Sequence, residues 1–186
     1  MVPPDAVDRI LEQWGLERPD LDASPMGVLG RISRAAQLVE HRVAPVFEAF
    51  GLSSADFDVL ATLRRAGEPF RLNPTALSAS SMVSSGGMTK RLDRLERAAL
   101  VRRMADPADR RGVIVELTPA GRQLVDQAVE AHIANEERLL AALPAAQRAT
   151  LVDILRVLLT ALEQGESSVA PTRRRDRRTS RIASGS

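Results

Sequence analysis

The residues best suited to bind a polyanion lie between 84 and 118, where the sequence reads SSGGMTKRLDRLERAALVRRMADPADRRGVIVELT. The first half predicts a short basic helix. The second half predicts two β-branched strands joined by the turn-rich, Arg-bearing loop ADPADRRG. A helix followed by a charged hairpin is typical of a winged helix-turn-helix. In that arrangement the helix enters the DNA major groove, and the hairpin tip reaches the backbone or the neighbouring minor groove.

Seven side chains of this segment are candidates for DNA contacts, namely Ser84, Ser85, Thr89, Lys90, Arg94, Arg110 and Arg111. The hydroxyls can reach bases or phosphates, and the guanidinium of Arg94 can donate two hydrogen bonds to guanine. We expect Arg110 to contact the backbone and Arg111 to enter the minor groove, where A·T-rich DNA concentrates negative potential. The alternatives are that Lys90 and Arg94 touch only phosphate, that Arg94 pairs with its neighbours on the helix, or that the hairpin tip binds nothing.

The net charge of +2 conceals a strong segregation of charge along the chain. Residues 64–122 hold 12 basic and six acidic side chains, whereas residues 1–63 hold five basic and ten acidic ones. Residues 123–171 are acidic again, with three basic and seven acidic side chains, and the segment from 172 onward holds six arginines and one aspartate. A basic middle between acidic flanks indicates a local polyanion-binding module rather than a uniformly basic protein.

Enzymatic and redox chemistry are disfavoured by what the sequence lacks. It has no cysteine and no tyrosine, and its two histidines, His41 and His132, are far apart without ligand spacing. It has neither a G-x-G-x-x-G motif nor a P-loop, so we expect no catalytic residue, no metal and no cofactor. No apolar run approaches the roughly 20 residues of a membrane span, and the N-terminus is acidic where a signal peptide is basic. We therefore expect a cytoplasmic protein.

Hydrophobic periodicity predicts the helices that flank the basic segment. A short amphipathic helix is expected at 4–16, ended by Gly15, and a long one at about 26–50, which Pro45 should kink or split. Two further helices are expected at 119–140 and, after Pro144, up to about 164. Their apolar residues are too numerous for the surface of a monomer and suggest a helical dimer interface.

Capping residues divide the chain between these helices. Ser53 is a predicted N-cap with Asp56 in the capping-box position. After a loop at 66–73, Asn73-Pro74 should open a short helix. The elements that follow are a recognition helix at 84–99 and wing strands at 100–104 and 113–118.

The expected fold is mainly α with a small β-wing, in one domain over 1–165 whose DNA-binding lobe is 53–118. The helices at 26–50 and 119–163 would form the dimerisation region, and 4–16 would be an extra N-terminal helix. The segment 166–186 has no apolar period and is predicted to be a disordered Arg-rich tail. That tail either adds non-specific DNA affinity or has no ordered role.

The wing sequence DPADRRG…VELTPAG, preceded by MTKRLDRLERAALV, resembles the MarR family of bacterial transcription regulators over roughly residues 28–162. The resemblance implies a homodimer that binds a pseudo-palindromic operator, usually represses nearby genes and is released by a small ligand or an oxidant. Without cysteine, oxidant sensing is disfavoured. The family often has glycine where this chain has Ala99, which tolerates a left-handed C-cap poorly. We therefore expect the recognition helix to run on slightly before the first wing strand, which bears on where Arg102 lies.

A closer resemblance is to the urate-responsive, PecS/UrtR-like branch of this family. That branch has a Trp in an extra N-terminal helix, an Asp before the helix-turn-helix, an Arg in the recognition helix and an Arg at the start of the wing. The matching residues are Trp14, Asp58, Arg91 and Arg103, and the resemblance implies that they bind the ligand. A planar anion suits an indole face and a guanidinium fork. The alternatives are that Trp14 only anchors its helix and that Asp58 and Arg91 form a plain ion pair.

Two other interpretations stay open at this stage. The Arg-rich tail is also compatible with an architectural protein that binds DNA without sequence preference. Within the regulator class, the ligand could instead be a phenolic or other aromatic acid, or a citrate-like acid, and a ligand-independent regulator is a further possibility.

Overall fold

The computed structural model describes residues 3–82, 87–107, 109 and 112–168. The predicted DNA contacts Ser84, Ser85, Arg110 and Arg111 lie outside these residues, as does the predicted tail from 169 onward. No helix among the described residues is long and apolar enough to cross a membrane.

Seven helices and three short strands make up the described part of the chain. The helices are α1 (Ala6–Glu17), α2 (Ser24–Glu48), α3 (Ser54–Arg65), α4 (Pro74–Ser80), α5 (Met88–Arg97), α6 (Pro119–Leu139) and α7 (Ala145–Ser168). The strands β1 (Arg71–Leu72), β2 (Val101–Ala105) and β3 (Val113–Leu117) form an antiparallel sheet in the order β1-β3-β2. The predicted class, mainly helical with a small β-wing, is confirmed.

The chain divides into two compact units, one ending at Leu139 and the other beginning at Leu140. The core of the first unit is centred on α3, whose Val59, Leu60 and Leu63 are completely buried. Apolar residues of α2, α4, α5, α6 and both long strands pack against them. The second unit contains α7, which extends to Ser168, three residues past the predicted end of the domain.

The predicted caps at Ser53 and Asn73 form as the sequence indicates, and Thr118 caps α6 in the same way. Ser53 and Asp56 make a reciprocal capping box at the start of α3. The Asn73 side chain accepts a hydrogen bond from the Ala76 N–H at 2.8 Å, and Thr118 Oγ1 accepts from the Gly121 N–H at 3.0 Å. These caps satisfy N–H groups that the first helical turn leaves unpaired, and they fix where each helix begins.

Of the two outcomes expected for Pro45, the split does not occur, because α2 is continuous from Ser24 to Glu48 and the buried Val43 and Phe47 hold its last turns against the core. Two other local predictions are wrong. Gly15 does not end α1, which continues to Glu17, since the cost of about 1 kcal/mol for a helical glycine is too small to stop a capped amphipathic helix. The predicted loop at 66–73 contains β1, a strand of two residues that is too short to leave a periodic pattern.

The end of α5 also differs from the prediction. The helix stops at Arg97, and Ala99 adopts the left-handed conformation with φ of 56° instead of prolonging the helix. The Leu100 N–H donates to the Leu95 carbonyl at 3.0 Å, and the Val101 side chain that follows is buried. These interactions outweigh the cost of about 1–2 kcal/mol for a left-handed alanine, so the chain turns sharply into β2.

Replacing Ala99 with glycine should therefore stabilise the protein by about 1 kcal/mol, because glycine adopts this conformation without steric cost. Denaturant unfolding followed by circular dichroism measures the change. The matched control is Ala98→Gly, where φ is −80° and glycine should lower stability instead. Equal effects of the two substitutions would contradict this account of the turn.

Candidate nucleic-acid interface

The side chains of α5 form three rows, in which residues are spaced four and three apart and therefore share a helix face. One row is buried in the core, one lies on the side of β2, and one is exposed and basic. The buried row is Met88, Leu92 and Leu95. The row on the side of β2 is Thr89, Asp93 and Glu96, and the exposed basic row is Lys90, Arg94 and Arg97. The buried row sets the rotation of the helix, so the basic row faces outward.

The basic row contains two of the predicted DNA contacts, Lys90 and Arg94. Arg94 forms an ion pair with the buried Asp56 at the N-terminus of α3, and its Nη2 lies 3.4 Å from Ser53 Oγ. The partner is therefore on another helix rather than on α5. The Arg94 side chain remains 55% exposed, so its other N–H groups are still accessible to DNA.

Arg97 extends this row by one helical turn and was not among the predicted contacts. Its side chain is exposed, and its Nε donates to the Asp93 carbonyl at 3.2 Å. The signal for Arg97 in the sequence is its spacing, because it follows Lys90 by seven residues and therefore lies on the same helix face. Thr89, by contrast, lies in the row that faces β2, although its side chain is exposed.

Arg103 connects β2 to α5. Its guanidinium lies 2.7 Å from Asp93 Oδ1 and 2.7 Å from Glu96 Oε2, and its Nη2 is 3.4 Å from the Thr89 carbonyl. Burial lowers the pKa of this guanidinium, but the two carboxylates outweigh burial and the pKa rises above its ordinary value. Arg103 is thus a fixed cation that holds the strand against the helix.

Asp58 lies at the other end of the helix-turn-helix. Its side chain is largely buried and accepts a hydrogen bond from the Met82 N–H at 2.9 Å, and its carboxylate is 3.9 Å from Arg65 Nη1. Arg65 also donates to the Ser80 carbonyl at the end of α4. Asp58 and Arg65 therefore hold the chain at the end of α4, from Ser80 to Met82.

Arg91 is the one basic residue on α5 that points towards the interior. Its Nη1 is buried and has no hydrogen-bond partner among the described residues. His132 Nδ1 is likewise buried and has no hydrogen-bond partner among the described residues, and the His132 ring packs against Phe47 and Phe57. Buried polar atoms are nearly always paired in folded proteins, and a buried cationic donor without an acceptor is costly.

Trp14 lies on α1, which packs against α2. The anchors of α1 are the buried Val7 and an ionic contact between Arg31 and Asp5, with Arg31 Nε at 2.9 Å from Asp5 Oδ2. Trp14 is 41% exposed, so its indole is not the main anchor of the helix. The four predicted ligand residues thus lie on four different elements, α1, α3, α5 and β2.

The two wing strands pair from Val101↔Leu117 to Ala105↔Val113. Arg102 of β2 lies 2.6 Å from Glu116 of β3, which joins the strands on one face of the sheet. Beyond the strands, the Asp106 N–H donates to the Gly112 carbonyl at 3.0 Å and narrows the base of the tip. The two strands are therefore joined at the base of the tip by a backbone hydrogen bond.

Comparisons with known proteins agree on one family. A model of the MarR family matches residues 52–113. The HTH-type transcriptional regulator PecS of Dickeya dadantii is 43% identical over 134 residues, which cover 72% of this chain and 81% of that protein.

Two solved structures also resemble the fold. A mutant MarR from E. coli complexed with operator DNA has a TM-score of 0.64 and 27% identity, over 84% of this chain and 99% of that one. BpsR of Bordetella bronchiseptica, solved to explain regulation of its DNA binding by 6-hydroxynicotinic acid, has a TM-score of 0.64 and 28% identity, over 70% of this chain and 91% of that one.

Alanine substitution of Lys90 or Arg97 should each remove about one phosphate contact. The slope of log binding constant against log salt concentration should become shallower by about 0.9 for each variant. Fluorescence anisotropy of a labelled duplex across a salt series measures it. Arg9→Ala, on the exposed surface of α1, removes the same charge elsewhere and should leave the slope unchanged. An equal change in all three variants would show that net charge, not this row, determines binding.

Proposed function

The chain belongs to the MarR family of DNA-binding transcriptional regulators, and from this premise we propose that it binds a pseudo-palindromic operator as a homodimer. In this proposal it represses nearby genes until a small anionic ligand releases it from DNA. The observation that carries the ligand half of the proposal is the buried, unpartnered Nη1 of Arg91 on α5.

Operator binding is supported by the shape and charge of the DNA-binding lobe. The exposed row of Lys90, Arg94 and Arg97 would face the major groove, with the Thr89 hydroxyl beside it. The wing hairpin would place Arg110 and Arg111 at the backbone and the minor groove, as in other winged helices. The resemblance to a mutant MarR complexed with operator DNA supports operator binding.

A homodimer is supported by apolar surface that a single chain leaves exposed. On α7 this surface comprises Leu151, Val152, Ile154, Val157, Leu159 and Leu162. Large exposed apolar patches in soluble proteins mark interaction sites, and a second copy of the same helix offers a matching surface. A symmetric dimer would hold two copies of α5 at a fixed spacing, which a pseudo-palindromic operator requires.

The ligand is proposed to be a planar anion such as urate. Its oxygens would supply the acceptor that Arg91 Nη1 lacks, and Trp14 would offer an accessible indole face for stacking. Asp58 would accept hydrogen bonds from ring N–H groups. Arg103 already holds two carboxylates, so a ligand would reach it only by displacing Asp93 or Glu96.

Release would follow from the elements that carry these residues. Arg91 is part of α5 itself, and Asp58 holds Met82 at the start of the turn that leads to α5. A ligand that draws both groups towards itself would move α5 relative to α3 and change the spacing of the two half-sites. Only this difference in affinity between the two arrangements can drive release.

A second candidate ligand class is an aromatic acid. The resemblance to BpsR, whose DNA binding is regulated by 6-hydroxynicotinic acid, favours it, and such an acid also pairs an aromatic ring with an anionic oxygen. Citrate-like acids would satisfy Arg91 but offer no ring to Trp14.

The alternative of an architectural protein without sequence preference predicts that the chain binds operator and random DNA equally.

Arg91→Lys should weaken ligand binding by about tenfold or more, because lysine keeps the charge but loses the planar fork that pairs with two oxygens. Trp14 is the only tryptophan, so its fluorescence during titration with urate, 6-hydroxynicotinate and citrate reports binding and ranks the three classes. Arg97→Lys on the same helix should bind like wild type. Equal affinities for both variants would place the ligand away from Arg91.

The ligand half of the proposal also depends on binding by the unmodified protein. If calorimetry shows that wild type binds none of the three compounds, a planar or carboxylic anion is not its ligand. Release of operator DNA at the same ligand concentrations, measured by gel shift, would link binding to regulation.

A further inference from the structure

We propose that Asp93 and Glu96 of α5 are positioning residues that, through Arg103 of β2, clamp the recognition helix to the wing and thereby set operator specificity. The proposal rests on the operator-specific binding proposed above. Neither acidic residue is among the expected DNA contacts, and the ligand assignment involves them only as the groups that a ligand would displace from Arg103.

The Arg103 side chain contacts α5 at three points along the helix face that lies towards β2. These points are the Thr89 carbonyl, Asp93 and Glu96, which span two helical turns from the beginning of α5 to its last turn. Glu96 is held twice, because its Oε1 also accepts the backbone N–H of Arg103 at 3.0 Å. The strand backbone and its side chain are therefore both bound to the same helix face.

Acidic side chains on this helix oppose its function unless they have a structural purpose. Phosphate repels a carboxylate, so Asp93 and Glu96 reduce the affinity of α5 for any DNA. Arg103 is only 28% exposed, and its raised pKa keeps it charged at all physiological pH values. The cation pairs with both acids at the place where the helix meets the strand and offsets one of their two negative charges, so a positioning role accounts for the charge that remains.

The clamp acts across a short connection. Only Ala98, Ala99 and Leu100 separate α5 from β2. A groove-reading helix and a wing must contact one DNA site at the same time, so their relative angle determines which sequences both can fit. Loosening the clamp should therefore leave phosphate contacts possible but degrade the register of base contacts, which phosphate contacts do not supply.

The test compares Asp93→Asn and Glu96→Gln, singly and combined, with Glu116→Gln as the matched control. Glu116 also pairs with an arginine of β2, Arg102 at 2.6 Å, but that pair joins the wing strands and does not reach α5. Each single variant removes one acid from the same lobe, so each should bind random duplex more tightly by a similar factor. The combined variant removes two acids and should show the larger increase. The measured quantity is the ratio of affinities for an operator, selected from random duplexes by wild type, and for random DNA.

The clamp predicts that this ratio falls at least tenfold in the combined variant and stays within about twofold of wild type for Glu116→Gln. If operator and random affinities rise together in all variants, the acids act through charge alone and the clamp is wrong. If wild type itself does not distinguish operator from random DNA, the proposed operator reading fails instead.

A folding defect is separated from a loss of specificity by thermal unfolding of each variant. Should the combined variant not fold, Arg103→Gln carries the test, since it breaks the same contacts from the strand side. Because this substitution removes a positive charge, the affinity for random duplex should fall. The clamp requires the affinity for the operator to fall by a factor at least ten times larger. A parallel fall in both affinities would overturn the proposal.

Discussion

Pairing between guanidinium and carboxylate groups across different elements is the interaction on which the DNA-binding lobe depends. The recognition helix α5 has only ten residues, and Gly87 at its start provides no side-chain cap. A helix of this length is marginal by itself in water, so its position has to come from tertiary contacts. Its buried row sets its rotation, while Arg94 with Asp56 ties it to α3 and Arg103 with Asp93 and Glu96 ties it to the wing.

These ion pairs explain how the lobe can contain several acidic side chains and still present a basic surface. Asp56 pairs with Arg94, and Asp93 and Glu96 both pair with Arg103, so each acid meets an arginine where two elements join. Lys90, Arg97 and the exposed part of Arg94 provide the positive charge that faces outward. Arg91 differs from these arginines, because its Nη1 is buried without a partner among the described residues. An acceptor from outside the chain would complete it, and because Arg91 belongs to α5, that acceptor would act on the helix that reads DNA.

Local signals in the sequence were sufficient for the existence of the helices, for the caps and for the two wing strands, but not for β1 or for the exact ends of α1 and α5. Ser53, Asn73 and Thr118 determine helix starts through bonds to their own neighbours, so their effects can be predicted without knowing the fold. The partners of Arg94 and Arg103 could not be predicted in this way. Asp56 is 38 residues from Arg94 in sequence, and an arginine with several acids within reach selects among them only once the elements have packed.

Ala99 marks the same limit at the level of the backbone. Propensity alone predicts a longer helix, but the burial of Val101 and the bonds of the turn require a left-handed residue at that position. Tertiary packing therefore decides where α5 ends, and so where Arg103 meets its carboxylates. The lobe is organised by contacts between elements more than by the preferences of any one of them.

A crystal structure of the protein with urate bound tests the central claim most directly, namely that an anion completes the recognition helix at Arg91. The account predicts a ligand oxygen at about 2.9 Å from Arg91 Nη1 and a displacement of α5 relative to α3. A bound ligand elsewhere, with Arg91 Nη1 still unpartnered and α5 in its present position, would contradict it.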